Sequence, residues 1–211
     1  MLSQLAAQAC AGISLSAIVG GFLVGHWLSP PNRQPVRVAV RRERTRWTEA
    51  VWVGGSLVAS FWSVGVLLVP RYAYDWPSLP DFPSSAVVQL FGFLVSLVGG
   101  LLFFAAVRAL GRHMTPAIQL QEGHRLVREG PYQFIRHPAY TAIITGASGL
   151  SVLYLSSILA LITVVLVGMA VYRAHLEEGL LSSSEGFGET YRAYMGRTGR
   201  FLPRIRSRPS R

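Results

Sequence analysis

The stretch that decides the fold is Ala139–Tyr172, AYTAIITGASGLSVLYLSSILALITVVLVGMAVY, 34 residues without a charge. As one helix it would be about 51 Å long at ~1.5 Å per residue. A bilayer's hydrocarbon core is only about 30 Å thick. The stretch therefore reads as a tight hairpin of two short membrane helices, turning near Tyr154 to Ser157. Gly146 and Gly149 are expected to let those two helices approach closely.

Upstream, Leu5–Leu28, Ala50–Val69 and Ala86–Val107 are three further tracts free of Asp, Glu, Lys and Arg. Each is long enough to cross a membrane. The expectation is an all-α integral membrane protein with five transmembrane helices, the last two a tight hairpin, and a cofactor site on the cytoplasmic side. Residues 1–110 would hold three helices and their loops. Residues 111–211 would be the catalytic part: motif loop, helical hairpin and C-terminal cytoplasmic tail.

The arginines fix the expected orientation. With five spans, nineteen of the twenty basic residues fall on one side, all but Arg71. The positive-inside rule then places the N-terminus outside and the C-terminus in the cytoplasm. Tyr72, Tyr74 and Trp76 would form an outer aromatic belt, and Trp27 and Trp47 an inner one. The first span reads as a retained helix, because no basic residue precedes it and its apolar run is long for a signal peptide.

Composition agrees. The chain is 51% hydrophobic and 14% charged, with a net charge of +10. Soluble domains carry about 25% charged residues. A disordered chain would lack the apolar content, and a nucleic-acid partner would not explain it. An arginine-rich cytoplasmic face suits anionic lipid instead. Cys10, the only cysteine, excludes a disulfide scaffold and reads as a packing residue.

Only Arg108–Pro138 and Arg173–Arg211 can build a cytoplasmic site. No dinucleotide fingerprint or phosphate-binding loop occurs in them. No histidine pair has metal-site spacing with a supporting carboxylate, so no metal is expected. In the first segment Arg136, His137 and Tyr140 would cluster where Pro138 starts a helix, a position that attracts anions. The plain alternative is an interfacial anchor. In the second segment Arg173 and Glu177 lie four apart, on one helical face. The plain alternative there is a surface ion pair. The aromatics of the tail, Tyr191 and Tyr194 among them, read by chemistry as packing on the bilayer.

Taken in order, His124-x-Leu126-Val127, Gly130-Pro131-Tyr132, Arg136-His137-Pro138-x-Tyr140, Arg173-x-x-x-Glu177-Glu178, Phe187-Gly188-x-x-Tyr191-x-x-Tyr194 and Phe201-x-Pro203 form a series. It resembles the isoprenylcysteine carboxyl methyltransferase family and its phospholipid methyltransferase relatives, over about Gln119 to Pro203. The resemblance implies a membrane O-methyltransferase that uses S-adenosyl-L-methionine without a Rossmann fold. It implies a cofactor shell of Gln119, His124, Arg125, Leu126, Val127, Tyr132, His137, Pro138, Ala139, Tyr140 and Glu177. It also implies that Arg173 faces the methyl acceptor and that His137 belongs to the catalytic set. The implied acceptor is a lipidic or lipidated carboxylate. Two other readings remain at this point: an NADPH-dependent membrane reductase, since some sterol reductases share a similar R-H-P-x-Y stretch, and a non-enzymatic membrane scaffold.

Overall fold

The computed structural model describes residues 2–27, 41–42, 46–70, 82–115, 117–120 and 125–204, with backbone alone at 17–27, 41–42 and 112. Among the described residues six helices dominate: α1 (Gln4–Trp27), α2 (Arg46–Leu68), α3 (Ser85–Leu110), α4 (Pro138–Leu153), α5 (Ser157–Leu181) and α6 (Glu189–Arg197). The chain is mostly helical, but it is not purely so. Arg41–Arg42 (β1) pairs antiparallel with Gln119–Leu120 (β2). Single 3-10 turns occupy Gly111–His113 and Gly130–Gln133.

Among the described residues three helices, α2, α3 and α5, are long and apolar enough to cross a membrane, and α4 is a shorter apolar helix. Their outward faces carry Val58, Leu68, Val87, Leu94, Leu101, Leu161 and Val164, all exposed. In water such surfaces would be penalised; in lipid they are solvated. The chain is an integral membrane protein. Trp47 is exposed and stands 5.8 Å from the Tyr172 ring, which places two amphipathic rings at one level of the bundle. The outer-belt residues Tyr72, Tyr74 and Trp76, and the Trp27 side chain, lie outside the described residues.

The helices alternate in direction. At one pole the Leu2 amide donates to Gln89 Oε1 (2.8 Å), Gln89 Nε2 donates to the Leu153 carbonyl (2.8 Å), and Gln8 Nε2 donates to the Leu67 carbonyl (3.3 Å). These bonds gather the starts of α1 and α3 with the ends of α2 and α4. The hairpin turns at the same pole. Helix α4 ends at Leu153, and Ser156 caps α5 by accepting from the Leu159 amide. The Tyr154 hydroxyl lies 2.8 Å from Ser63 Oγ, fixing the turn to α2. Cys10 is buried in the core that fills this half.

The hairpin glycines pack differently from expectation. A side chain on Gly149 would place its Cβ 2.3 Å from the Ser96 amide nitrogen of α3. One on Gly99 would come 2.4 Å from the Gly146 nitrogen, and one on Gly92 2.5 Å from the Leu153 nitrogen. The close approach is thus between α3 and α4, not between the two arms of the hairpin. The physical reason is geometric. Helix α4 is too short to cross alone, and the seam of Gly92, Ser96, Gly99, Gly146 and Gly149 lets its backbone rest against the longer α3. Helix α5 packs on α4 and also on α2, so the hairpin is splayed around the bundle.

Candidate functional site

At the opposite pole, the loop before α4, the last turns of α5 and the segment after α6 converge. The segment after α6 lies against the loop as a short strap. Ile135 and Gly199 form a parallel bridge, the Arg136 amide donates to the Gly199 carbonyl (2.9 Å), and the His137 amide donates to the Arg200 carbonyl (3.1 Å). The Thr141 hydroxyl donates to the Phe201 carbonyl (3.0 Å). Gly199 is demanded here, because a Cβ would collide with the Leu202 carbonyl oxygen.

The hub beneath the strap is Glu178. Its buried carboxylate accepts from Arg136 Nε (2.8 Å) and from Arg200 Nη2 (2.5 Å), and lies 3.1 Å from His137 Nε2. Arg136 also donates to the carbonyls of Met195 and Thr198. The start of α4 was expected to attract an anion. The anions it holds are the chain's own, for His137 lies between Glu178 and, at 3.6 Å, Glu177 Oε2. Arg136 reaches from the edge of the cavity into the strap.

Glu177 sits one residue earlier on α5, about 100° round the helix. It faces elsewhere and accepts from the Tyr140 hydroxyl at 3.0 Å. The Tyr140 ring stacks parallel to His137, centroids 5.3 Å apart, and meets Trp52 edge-on at 4.9 Å. Arg173, one turn earlier, is 1% exposed and donates to Thr48 Oγ1 of α2 at 2.8 Å. Arg173 and Glu177 share a helical face as the spacing implied. Their hydrogen bonds nevertheless run to different elements, which makes them two sides of a pocket rather than a plain surface pair.

That pocket is a cavity of about 660 Å³. It is lined by Gln119, Arg125, Leu126, Val127, Tyr132, His137, Ala139, Tyr140, Arg173 and Glu177 of the residues picked out from the sequence. Val127 and Tyr132 are buried against Ala106 of α3. Arg125 is at the rim, its side chain 72% exposed and 3.8 Å from Glu129. Pro138 is buried behind the cavity as the first residue of α4. His124 lies outside the described residues.

Sequence reasoning missed several cavity residues. Trp52 comes from a span that carried no motif, as does Thr48 behind Arg173. His113 is buried and lines the cavity. Tyr191 and Tyr194 do not pack on the bilayer. They are 2% and 7% exposed, and both line the cavity. The Tyr194 hydroxyl donates to the Tyr132 carbonyl at 2.5 Å, tying α6 under the motif loop. Burial pushes the Tyr194 hydroxyl up to about 12, and raises Tyr132 and Tyr191 further. All three phenols are therefore neutral donors at physiological pH. The signal that could have found them is their three-residue spacing on the inward face of a nine-residue helix.

Comparison with known proteins bears on this arrangement directly. The isoprenylcysteine carboxyl methyltransferase family profile matches residues 91–183, which covers most of α3, the motif loop and the helical hairpin. The matched segment is less than half of the chain. Protein-S-isoprenylcysteine O-methyltransferase B of Arabidopsis thaliana is 27% identical over 157 residues, 72% of this chain and 79% of that protein. Form A of the same plant is 27% identical over 148 residues, 68% of this chain and 74% of that protein. The Xenopus laevis protein-S-isoprenylcysteine O-methyltransferase is 28% identical over 129 residues, 60% of this chain and 44% of that protein. The chain is thus similar, over its motif-bearing part, to O-methyltransferases that act on isoprenylcysteine.

Proposed function

We propose that the protein transfers a methyl group from S-adenosylmethionine to the carboxylate of a lipid-tailed acceptor, of the isoprenylcysteine kind, at the cytoplasmic face of its membrane. The observation that carries this reading is the continuity of the cavity. Its polar end is walled by His137, Tyr140, Arg173 and Glu177, and it runs on between Trp52 and Leu57 of α2, Phe103 of α3 and Ile143 of α4. A water-soluble donor and a membrane-held tail can meet only in such a two-phase space. Its volume falls in the range of about 300–1,000 Å³ typical of small-molecule sites.

The residues present fit the donor. Glu177 supplies a carboxylate for its ammonium group, and Leu126, Val127 and Tyr132 supply apolar and aromatic surface for its adenosyl part. Gln119, Arg125, Pro138 and Ala139, with His124, complete the proposed shell. When bound, S-adenosylmethionine supplies an electrophilic methyl carbon on a sulfonium sulfur. The acceptor needs no general base, because a carboxyl group of ordinary pKa, about 3.5–4, is already ionised at neutral pH. Arg173 then needs only to hold that carboxylate by its planar fork. Thr48 holds Arg173 in place. His137, locked between Glu177 and Glu178, keeps the Tyr140 ring and the start of α4 in register. Orientation of donor and acceptor in this space supplies most of the acceleration.

The proposed membrane arrangement is five spans with the N-terminus outside. The alternating helices and the arginine distribution support it. Exposed Arg128, Arg192 and Arg197 would then meet anionic lipid head groups. Residues 111–211 carry most of the reactive side chains, with Thr48 and Trp52 supplied by the first part. Reporter fusions at Ser3, Asp81 and Ser210 should read outside, outside and inside; a cytoplasmic Asp81 would overturn the topology. The function is tested by titrating the purified protein with S-adenosylhomocysteine and, separately, NADPH, then supplying labelled S-adenosylmethionine with a lipid extract. Binding of NADPH alone would replace the transferase with a reductase.

A further inference from the structure

Trp52 stands where the polar and apolar ends of the cavity meet. It is 4% exposed and lines the cavity. Its ring meets Tyr140 edge-on at 4.9 Å, and Tyr140 in turn donates to Glu177. Thr48, which accepts from Arg173 Nη1, lies four residues earlier on α2 and so on the same helical face. Trp52 is therefore one turn further into the bundle than the anchor of Arg173, about 6 Å along the axis. On its other side the apolar walls begin, at Val53 and Leu57 of α2, Phe103 of α3 and Ile143 of α4. The Trp52 carbonyl is engaged, accepting from Ser56 Oγ at 2.6 Å. Its indole N–H has no hydrogen-bond partner among the described residues and is not sealed from the cavity by protein. An indole nitrogen donates and cannot accept, and when buried it ordinarily finds an acceptor. Here the acceptor has to come from what fills the cavity.

We infer that the Trp52 indole N–H binds the carboxylate of the methyl acceptor, as a second donor beside Arg173. This rests on the reading that Arg173 holds that carboxylate. An ionised carboxylate offers two oxygens and about four lone-pair sites. A guanidinium fork occupies one side of it and leaves the group free to tilt about the fork. A single N–H from the facing helix stops that tilt, and orientation is what this reaction needs from the protein. Being neutral, the indole draws less density from the attacking oxygen than a second cation would. The same N–H selects the acceptor's chemistry. An ammonium head group presents only donors, so it would leave Trp52 unanswered and would face the positive charge of Arg173. A hydrocarbon would leave the N–H desolvated and unpaired, which is unfavourable. Only an acceptor oxygen at the junction of the two ends satisfies it, and the carboxylate of a lipid-tailed acid lies there when its tail occupies the apolar end.

The test uses the full chain in nanodiscs, with isotope-labelled tryptophan for nuclear magnetic resonance and N-acetyl-S-farnesylcysteine as the acceptor probe. Trp52→Phe keeps an aromatic ring against Tyr140 and deletes the donor; the signal it loses identifies the Trp52 indole proton of the wild type. When the probe is added to the wild type saturated with S-adenosylhomocysteine, that proton should move downfield. The analogue lacking the carboxyl group should not move it. With labelled S-adenosylmethionine, Trp52→Phe should lower kcat/KM for the probe about ten- to hundredfold, the range for a hydrogen bond to a charged group. Its affinity for S-adenosylhomocysteine should stay near that of the wild type. An indole proton indifferent to the probe, as one turned onto the Tyr140 ring would be, overturns the inference, and so does a Trp52→Phe enzyme with wild-type kcat/KM. A loss of S-adenosylhomocysteine affinity equal to the loss in kcat/KM overturns it by moving Trp52 to the methyl donor's side. If the wild type methylates the probe while the proton stays still, the Trp52 assignment alone fails. If it binds S-adenosylhomocysteine and methylates nothing, the acceptor reading fails and the assignment with it.

Discussion

The two poles of the bundle solve opposite problems with the same helices. At the hairpin turn the polar groups are neutral and each is answered: Gln89 bridges Leu2 and Leu153, and Ser63 holds Tyr154. Glycines bring α3 and α4 into backbone contact there. At the other pole the polar groups are charged, Glu178 gathers two arginines and a histidine, and the cavity opens beside them. Rigidity is concentrated at one end so that the other can stay hollow. In a membrane this division is natural, because neutral hydrogen bonds are tolerated at depth while charges belong near water.

The contrast is broken most severely at Glu178. Glu178→Ala leaves Arg136 and His137 buried without their carboxylate, a change that costs about 3–5 kcal/mol. We expect a large fall in melting temperature in detergent and loss of activity, with Glu178→Gln recovering part of the stability. A variant that melts like wild type would show that the strap, not the hub, holds this pole. Next comes the closed pole. Gly149→Leu must part α3 from α4, and overpacking of this kind costs about 1–3 kcal/mol or more. Thermal unfolding should register it, and cofactor affinity measured on the folded fraction should change little. If cofactor affinity falls in proportion, the poles are not independent.

Two substitutions sharpen the comparison inside the cavity. Glu177→Gln removes the carboxylate proposed for the donor's ammonium and should weaken S-adenosylhomocysteine binding by about 1–3 kcal/mol. Arg173→Lys keeps the charge but loses the fork, so turnover should drop while donor affinity stays near wild type. Calorimetry and initial rates on both variants read this crossed pattern; equal small effects would return the pair to a merely structural role. The smallest effect is expected from Tyr194→Phe, which deletes the bond to the Tyr132 carbonyl. About 1 kcal/mol of stability should go, with no change in the pH profile below 10, since this hydroxyl is pushed up to about 12 and does not ionise there.

The hairpin was legible because length alone forbids a single span, and Tyr154 and Ser156 mark its turn. The partner of Gly149 was not, since a glycine records that some backbone comes close without recording which. Arg173, Glu177, His137 and Tyr140 were legible as a set through their ordered motifs. Glu178 was hidden by adjacency: two neighbouring glutamates look alike in sequence, yet about 100° of helical rotation sends one to the cavity and the other to the strap. Trp52 and Thr48 gave no local signal, because their roles depend on where α2 crosses α5. Tyr191 and Tyr194 mislead because aromatics on a short basic helix satisfy a bilayer surface and a protein interior equally well.

The strap has a consequence for how the protein is made. Residues 199–201 emerge from the ribosome after the motif loop and both arms of the hairpin, and their backbone supplies the last hydrogen bonds around His137 and Thr141. During insertion the hairpin can therefore settle in the membrane with its reactive pole still ungirdled. The strap can close over this pole only when translation has passed Phe201, so a nascent chain arrested before that point would be anchored and helical with the hub around Glu178 still uncovered.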